Sequence, residues 1–169
     1  MSTWKVMVNA GRLGEISVNE VPITPLRIAA GGFAMLVAWI HILHPQLGLE
    51  RLFLYIQLGT LYDPRPPLFV MSAIAIFVGI IVAYNGYFRR EIYAAGLVLM
   101  SIYIIGYVAW HSVLDHGGFW PYIAAHGHDE VGFIELIIAH LRDDELALAS
   151  KLAELMTAGI LALLLWVDR

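Results

Sequence analysis

Cysteine is missing from all 169 positions of this chain. That excludes disulfides, thiolate zinc sites, iron–sulfur clusters, thioether-attached haem and cysteine nucleophiles, and it leaves the redox compartment open. Charge is scarce too, at 14% of residues where a soluble domain carries about 25%. The formal net charge of −4 offers no basic footprint for nucleic acid. Nor is there a nucleophile–base pair, a phosphate-binding loop or a dinucleotide fingerprint. The first 24 residues hold no apolar run of the signal-peptide type, and no small-residue cleavage pattern follows the first apolar stretch. The expectation is therefore that the first span stays in the mature protein.

What the chain has instead is apolar sequence, 60% of its residues, with a mean hydropathy of +0.73. Such an excess must face something other than water, and it is blocked into runs near the roughly 20 residues a helix needs to cross a bilayer. No polar stretch is long enough for a separate soluble domain. The reading is an all-α integral membrane four-helix bundle. Residues 1–24 form an N-terminal tail and 25–169 the membrane domain, with spans at about 26–43, 67–88, 92–110 and 147–167.

Local chemistry sets the boundaries. Thr24 before Pro25 reads as an N-cap and first helical position, and Pro45 stops the first span. Gly31 and Gly32 inside it permit close helix approach. Residues 46–66 include a stretch too short and polar to span, carrying Phe53, Tyr55 and Tyr62, which reads as an interfacial helix. Arg89, Arg90 and Glu91 make so tight a connection that spans two and three must be antiparallel neighbours. Residues 131–141 cover only about half a bilayer at 1.5 Å each and read as an interfacial or re-entrant helix. Asp143, Asp144 and Glu145 then open the last helix with charge suited to its N-terminus. The two short segments together form an outer cap.

Four spans put both termini on one side. The positive-inside rule places the Arg89–Arg90 turn in the cytoplasm, so a multi-pass protein of the cell membrane with both termini cytoplasmic is expected. Lys5, Arg12, Arg27 and Arg169 then fall inside as well. All seven histidines collect on the outer side. His41 lies about 21 Å along the helix from Arg27, with His44 one turn further.

Three stretches, TPLRIAAGGFAMLVAWIHI, FVGIIVAYNGYFRREIYAAGLVLMSIYIIGYVAW and SKLAELMTAGILALLLWV, resemble an uncharacterised family of small four-span membrane proteins found in haloarchaea. The resemblance implies an archaeal four-span fold and brings no activity or cofactor with it. The histidine-rich stretch after span three is longer than the short connector usual in that family.

That stretch, from Trp110 to His140, holds the candidate chemistry. His111, Asp115, His116, His126 and His128 are the first-choice metal ligands, with His41, His44 and His140 as additional ones. Imidazole and carboxylate suit a divalent ion such as zinc or copper(II). His111 and Asp115 share a helical face, and Gly127 lets the two flanking imidazoles approach, yet no diagnostic spacing such as HExxH is present. The plain alternative is that these histidines bind water or lipid phosphate at the interface. A haem held by His41 or His44 with His111 is a weaker candidate. Lys151 and Glu154, three apart in the last span, form an intramembrane polar pair, for which structural pairing is favoured over ion conduction.

The leading functional expectation is an accessory or scaffold subunit rather than an enzyme, one whose cap contacts a membrane-protein partner or a second copy and holds a metal ion. The rival readings are a metal-dependent membrane oxidoreductase or hydrolase, and a proton-responsive transporter or sensor.

Overall fold

The computed structural model describes residues 23–124 and 132–168. They form six helices: α1 (Ile23–Leu43), α2 (Leu49–Leu58), α3 (Arg65–Tyr84), α4 (Arg89–Trp110), α5 (Phe133–Asp143) and α6 (Glu145–Val167). No strand occurs among the described residues. Four of the helices, α1, α3, α4 and α6, are long and apolar enough to cross a membrane, at 21, 20, 22 and 23 residues. The chain is a multi-pass helical membrane bundle, as its composition requires.

Packing sets the order of the spans. α6 lies against both α1 and α4, α1 lies against α3, and α3 and α4 meet only sparingly despite their short connection. One core cluster joins all four through Val37, Ala38, Ala73, Ile76, Met100, Tyr103 and Ala153. A second, formed by Ala30, Tyr93, Leu161 and Leu164, closes α1, α4 and α6 at the other end. Small residues supply much of this interface because, without a hydrophobic drive between helices in lipid, close backbone approach and dispersion must hold them together. Gly96 is the tightest case: a Cβ there would lie 2.8 Å from Leu161 Cδ1. Ile28, Leu68 and Ile105 are among the many large aliphatics left exposed on outward faces, as lipid contact demands.

α3 and α6 each start two residues before the expected spans, and three boundaries differ by more. α1 is already helical at Ile23, so Thr24 and Pro25 lie in its first turn, where proline's missing N–H costs nothing. α3 ends at Tyr84, not near residue 88. The Asn85 Nδ2 donates to the Ile81 carbonyl at 2.7 Å, and Gly86 and Phe88 adopt φ of +90° and +48°. Left-handed backbone cannot continue an α-helix. Arg89, Arg90 and Glu91 consequently open α4 rather than forming the connection. At α6 the acidic start behaves as expected, with Asp144 Oδ1 accepting from the Ala147 N–H at 2.9 Å.

The short segments do build a cap at the end where α1 and α4 finish. The Trp120 indole donates to the Leu61 carbonyl at 3.1 Å, and Tyr62 packs between Tyr55 and Tyr122. Arg65, held by Asp63, lies 4.0 Å over the Trp110 ring. At the opposite end the Arg27 guanidinium grips both carboxylate oxygens of Asp168, at 2.6–2.9 Å, and the Tyr93 hydroxyl donates to the same group at 3.2 Å. This clamp ties the start of α1 to the end of α6 and to α4. Asp168→Asn is expected to lower stability by about 1–2 kcal/mol, the usual range for a charge-assisted hydrogen bond screened by nearby solvent. A lowered Tm in mild detergent would register it, while Glu91→Gln at an exposed site of the same end should leave Tm unchanged.

Candidate metal centre

The fold assembles three imidazoles from two separate segments. His111 caps the C-terminus of α4, and its Nδ1 meets the Tyr107 carbonyl one turn back at 2.8 Å. His140, near the end of α5, repeats the arrangement with its Nδ1 2.8 Å from the Leu136 carbonyl. α5 is amphipathic and buries Leu136, which turns the His140 face inward. His116 comes from the turn Asp115–Gly117 and has φ of +53°. A non-glycine residue there costs about 1 kcal/mol or more, and such outliers concentrate at functional sites. Gly117 beside it, at φ +89°, is obligatory on packing grounds as well, since a Cβ would fall 2.3 Å from the Trp110 ring.

The three rings face one another, with centroids 4.9 Å (His111–His116), 4.7 Å (His111–His140) and 5.1 Å (His116–His140) apart. One ring nitrogen from each lies within 4.8 Å of the other two. His116 Nε2 and His140 Nε2 are 3.1 Å apart. In a tetrahedral site with metal–nitrogen bonds of about 2.0–2.1 Å, adjacent ligand nitrogens sit about 3.4 Å apart. One edge of the triangle is therefore already near ligand spacing, and the other two are no longer than 4.8 Å.

The tautomers suit this chemistry. A carbonyl oxygen only accepts, so a ring nitrogen 2.8 Å from one carries the proton. His111 and His140 thereby present Nε2 as a lone pair, the arrangement that backbone carbonyls impose on metal-bound histidines. Burial pushes the His111 imidazole down to about 4; the Tyr107 carbonyl opposes the shift, and positive charge at His140, His116 and Arg65 adds to it. His111 is thus neutral and ligand-ready across the physiological range.

No family profile, curated protein or solved structure matches this chain. Its function has to be read from its own residues.

The other candidates separate into distinct environments. His126 and His128 lie outside the described residues, as does the side chain of Asp115. His44 serves its own turn: its Nδ1 accepts from the Gln46 and Leu47 N–H groups, each at 3.2 Å. Burial lowers its pKa, partly opposed by Asp144. His41 is not at the surface. It is buried between Phe69, stacked at 4.4 Å, and Tyr103, edge-on at 4.3 Å. Tyr103 is eight residues before His111 on α4, roughly 12 Å of helix rise. At that separation His41 and His111 do not share one iron atom, as a haem would require.

His41 belongs with Lys151 and Glu154. The Glu154 carboxylate is fully buried and accepts from Lys151 Nζ at 2.5 and 2.8 Å and from Ser150 Oγ at 2.8 Å. His41 Nε2 lies 3.4 Å from the same carboxylate and 3.3 Å from Ser150 Oγ. Because Ser150 gives its only proton to Glu154, His41 donates through Nε2, and its Nδ1 is left buried with no partner among the described residues. Lys151 Nζ also reaches the Tyr103 carbonyl at 3.3 Å. The Lys151–Glu154 pairing followed from sequence spacing. Ser150 and His41 did not, although the Ser150–Glu154 spacing of one helical turn was the signal that could have shown a shared, inward-facing stripe.

Two expectations follow from this geometry. Glu154→Leu strands the Lys151 ammonium and should cost about 3–5 kcal/mol, whereas Glu154→Leu with Lys151→Met should recover most of the wild-type Tm. Equal loss in both variants would show that the pair is not the source of the cost. For His111, the unfolded chain takes up a proton near pH 6.5 that the folded, metal-free protein resists until about pH 4. The stability held by the neutral ring is complete above pH 6.5 and is lost as pH falls towards 4. Thermal melts of chelator-treated protein across that window should therefore decline with acid, and less steeply in His111→Gln.

Proposed function

We propose that this protein is a metal-binding accessory subunit of the cell membrane, with His111, His116 and His140 holding one divalent ion of the zinc or copper(II) class. The observation that carries this reading is the 3.1 Å approach of two imidazole Nε2 atoms while the Nδ1 atoms of His111 and His140 are committed to backbone carbonyls. Two such nitrogens approach that closely only with a proton or a cation between them. Three imidazole donors are enough to seat a borderline-soft ion and leave a position open for a further ligand.

The accessory role rests on the cap. Phe53, Ile56 and Phe119 present exposed apolar and aromatic surface on the cap segments, the composition that partner interfaces favour. With Arg89 and Arg90, the first residues of α4, on the cytoplasmic side, the cap and its centre face outward. A metal-dependent hydrolase or oxidoreductase is the second reading, favoured by the open position that a three-histidine site leaves.

Elemental analysis with native mass spectrometry of the purified protein should give close to one ion per chain. His116→Ala and His140→Ala should each lower metal affinity by at least tenfold, and His44→Ala should leave it unchanged. Metal-free protein that takes up no zinc or copper(II) on titration would remove both metal-based readings.

A further inference from the structure

We propose that the end of the bundle opposite the histidines carries a binding site for an anionic membrane phospholipid, seated with its acyl tail between α3 and α4. The sparing contact between these helices leaves a cleft of about 970 Å³ whose walls are mainly apolar. Its lining runs from Thr24, Tyr84 and Arg89 at the helix ends, taken as its mouth, to Met100 and Thr157 deeper in the bundle, taken as its floor. From Arg89 to Met100 along α4 is 11 residues, about 16 Å of rise, and from Thr24 to Ala34 along α1 about 15 Å. Each matches the roughly 15 Å depth of one hydrocarbon leaflet, half of a 30 Å core. The cleft is the length of one leaflet's acyl chain.

Charge at the mouth selects the headgroup. Arg27 is neutralised by Asp168, which leaves Arg89 as the cation lining the cleft. Its Nε donates to the Ala83 carbonyl at 3.2 Å, and its remaining guanidinium nitrogens have no protein partner among the described residues. The anchored guanidinium thus offers its other donors to a phosphate at headgroup level. Arg90, exposed next to it, adds positive charge, while the exposed Glu91 subtracts some. Neither lines the cleft. The floor asks for nothing polar, because Thr157 Oγ1 already donates to the Ala153 carbonyl.

The site is independent of the metal centre, and its test is separate. Full-length protein in mild detergent would be mixed with equal amounts of phosphatidylglycerol and phosphatidylcholine of identical chains, then read by native mass spectrometry. Several-fold preferential retention of phosphatidylglycerol is expected. Arg89→Gln should abolish the preference, and Arg89→Lys should keep part of it. Gly31→Leu should reduce retention of both lipids, because Gly31 lines the cleft and a side chain there enters open space without a clash. Gly32→Leu, on the exposed side of the same helix, is the matched control and should retain lipid as the wild type does. Equal retention of the two lipids, unchanged retention in Gly31→Leu, or displacement of bound lipid by inorganic phosphate at millimolar concentration would each overturn the proposal.

Discussion

Hydrocarbon supplies no hydrogen bonds, and that single fact arranges every polar group in this bundle. A buried carboxylate in such surroundings must be paired and hydrogen-bonded or it will not stay charged. Glu154 meets that demand with Lys151, Ser150 and His41 around it. The same demand sends the remaining charges to the ends, where Arg27 and Asp168 clamp one rim and Arg65 and Asp63 brace the other. The two rims are built differently. One is a compact ion-pair clamp on helix ends; the other is a cap of loops and short helices that brings separate segments together.

This division explains why the histidine centre sits where it does. Three imidazoles converging from α4, the following turn and α5 need backbone that leaves the helical path, as His116 does at φ +53°. Irregular backbone of that kind is affordable only outside the hydrocarbon or where protein covers it. The carbonyls of Tyr107 and Leu136 then do double work. They belong to the last turn of α4 and the first turn of α5, and they also fix the tautomers of His111 and His140. His41, packed on Tyr103 eight residues before His111 along α4, lies within regular helix and serves the ion pair instead.

Hydropathy alone made the spans legible, because a lipid-facing helix must be apolar over a fixed length whatever its partners are. Their ends were less so. The last turn of α3 looked continuous to residue 88, and only the left-handed backbone at Gly86 and Phe88 stops it at Tyr84. Glu154 was identifiable as an intramembrane carboxylate from the thirteen uncharged, mostly apolar residues that follow it. Its companions on other helices were not, since the rotation of α1 about its axis decides whether His41 faces lipid or Glu154, and a helix apolar on nearly every side carries no periodic signal of that rotation. The same limit applies to the histidine cluster. His111 and His116 are near neighbours in sequence, but His140 joins them only because α5 buries Leu136 and folds back over the bundle end.

The seam between α3 and α4 shows how one bundle holds two unlike ends. At the cap end it is fastened, because the Tyr103 hydroxyl donates to Ser72 Oγ and Phe69, Tyr103 and His41 stack into one aromatic cluster. At the other end Gly79 faces α4 with only an Ile92 methyl near its missing side chain, and Gly31 faces nothing. Small residues that bring helices together elsewhere here leave space, since α1 and α4 are each drawn towards α6 and α3 is drawn towards α1. Closing the seam along its full length would require α4 to leave α6, and with it the tight Gly96–Leu161 contact. The opening is thus a consequence of the packing order, and it leaves the Arg89 guanidinium at the end of an apolar cleft one leaflet deep.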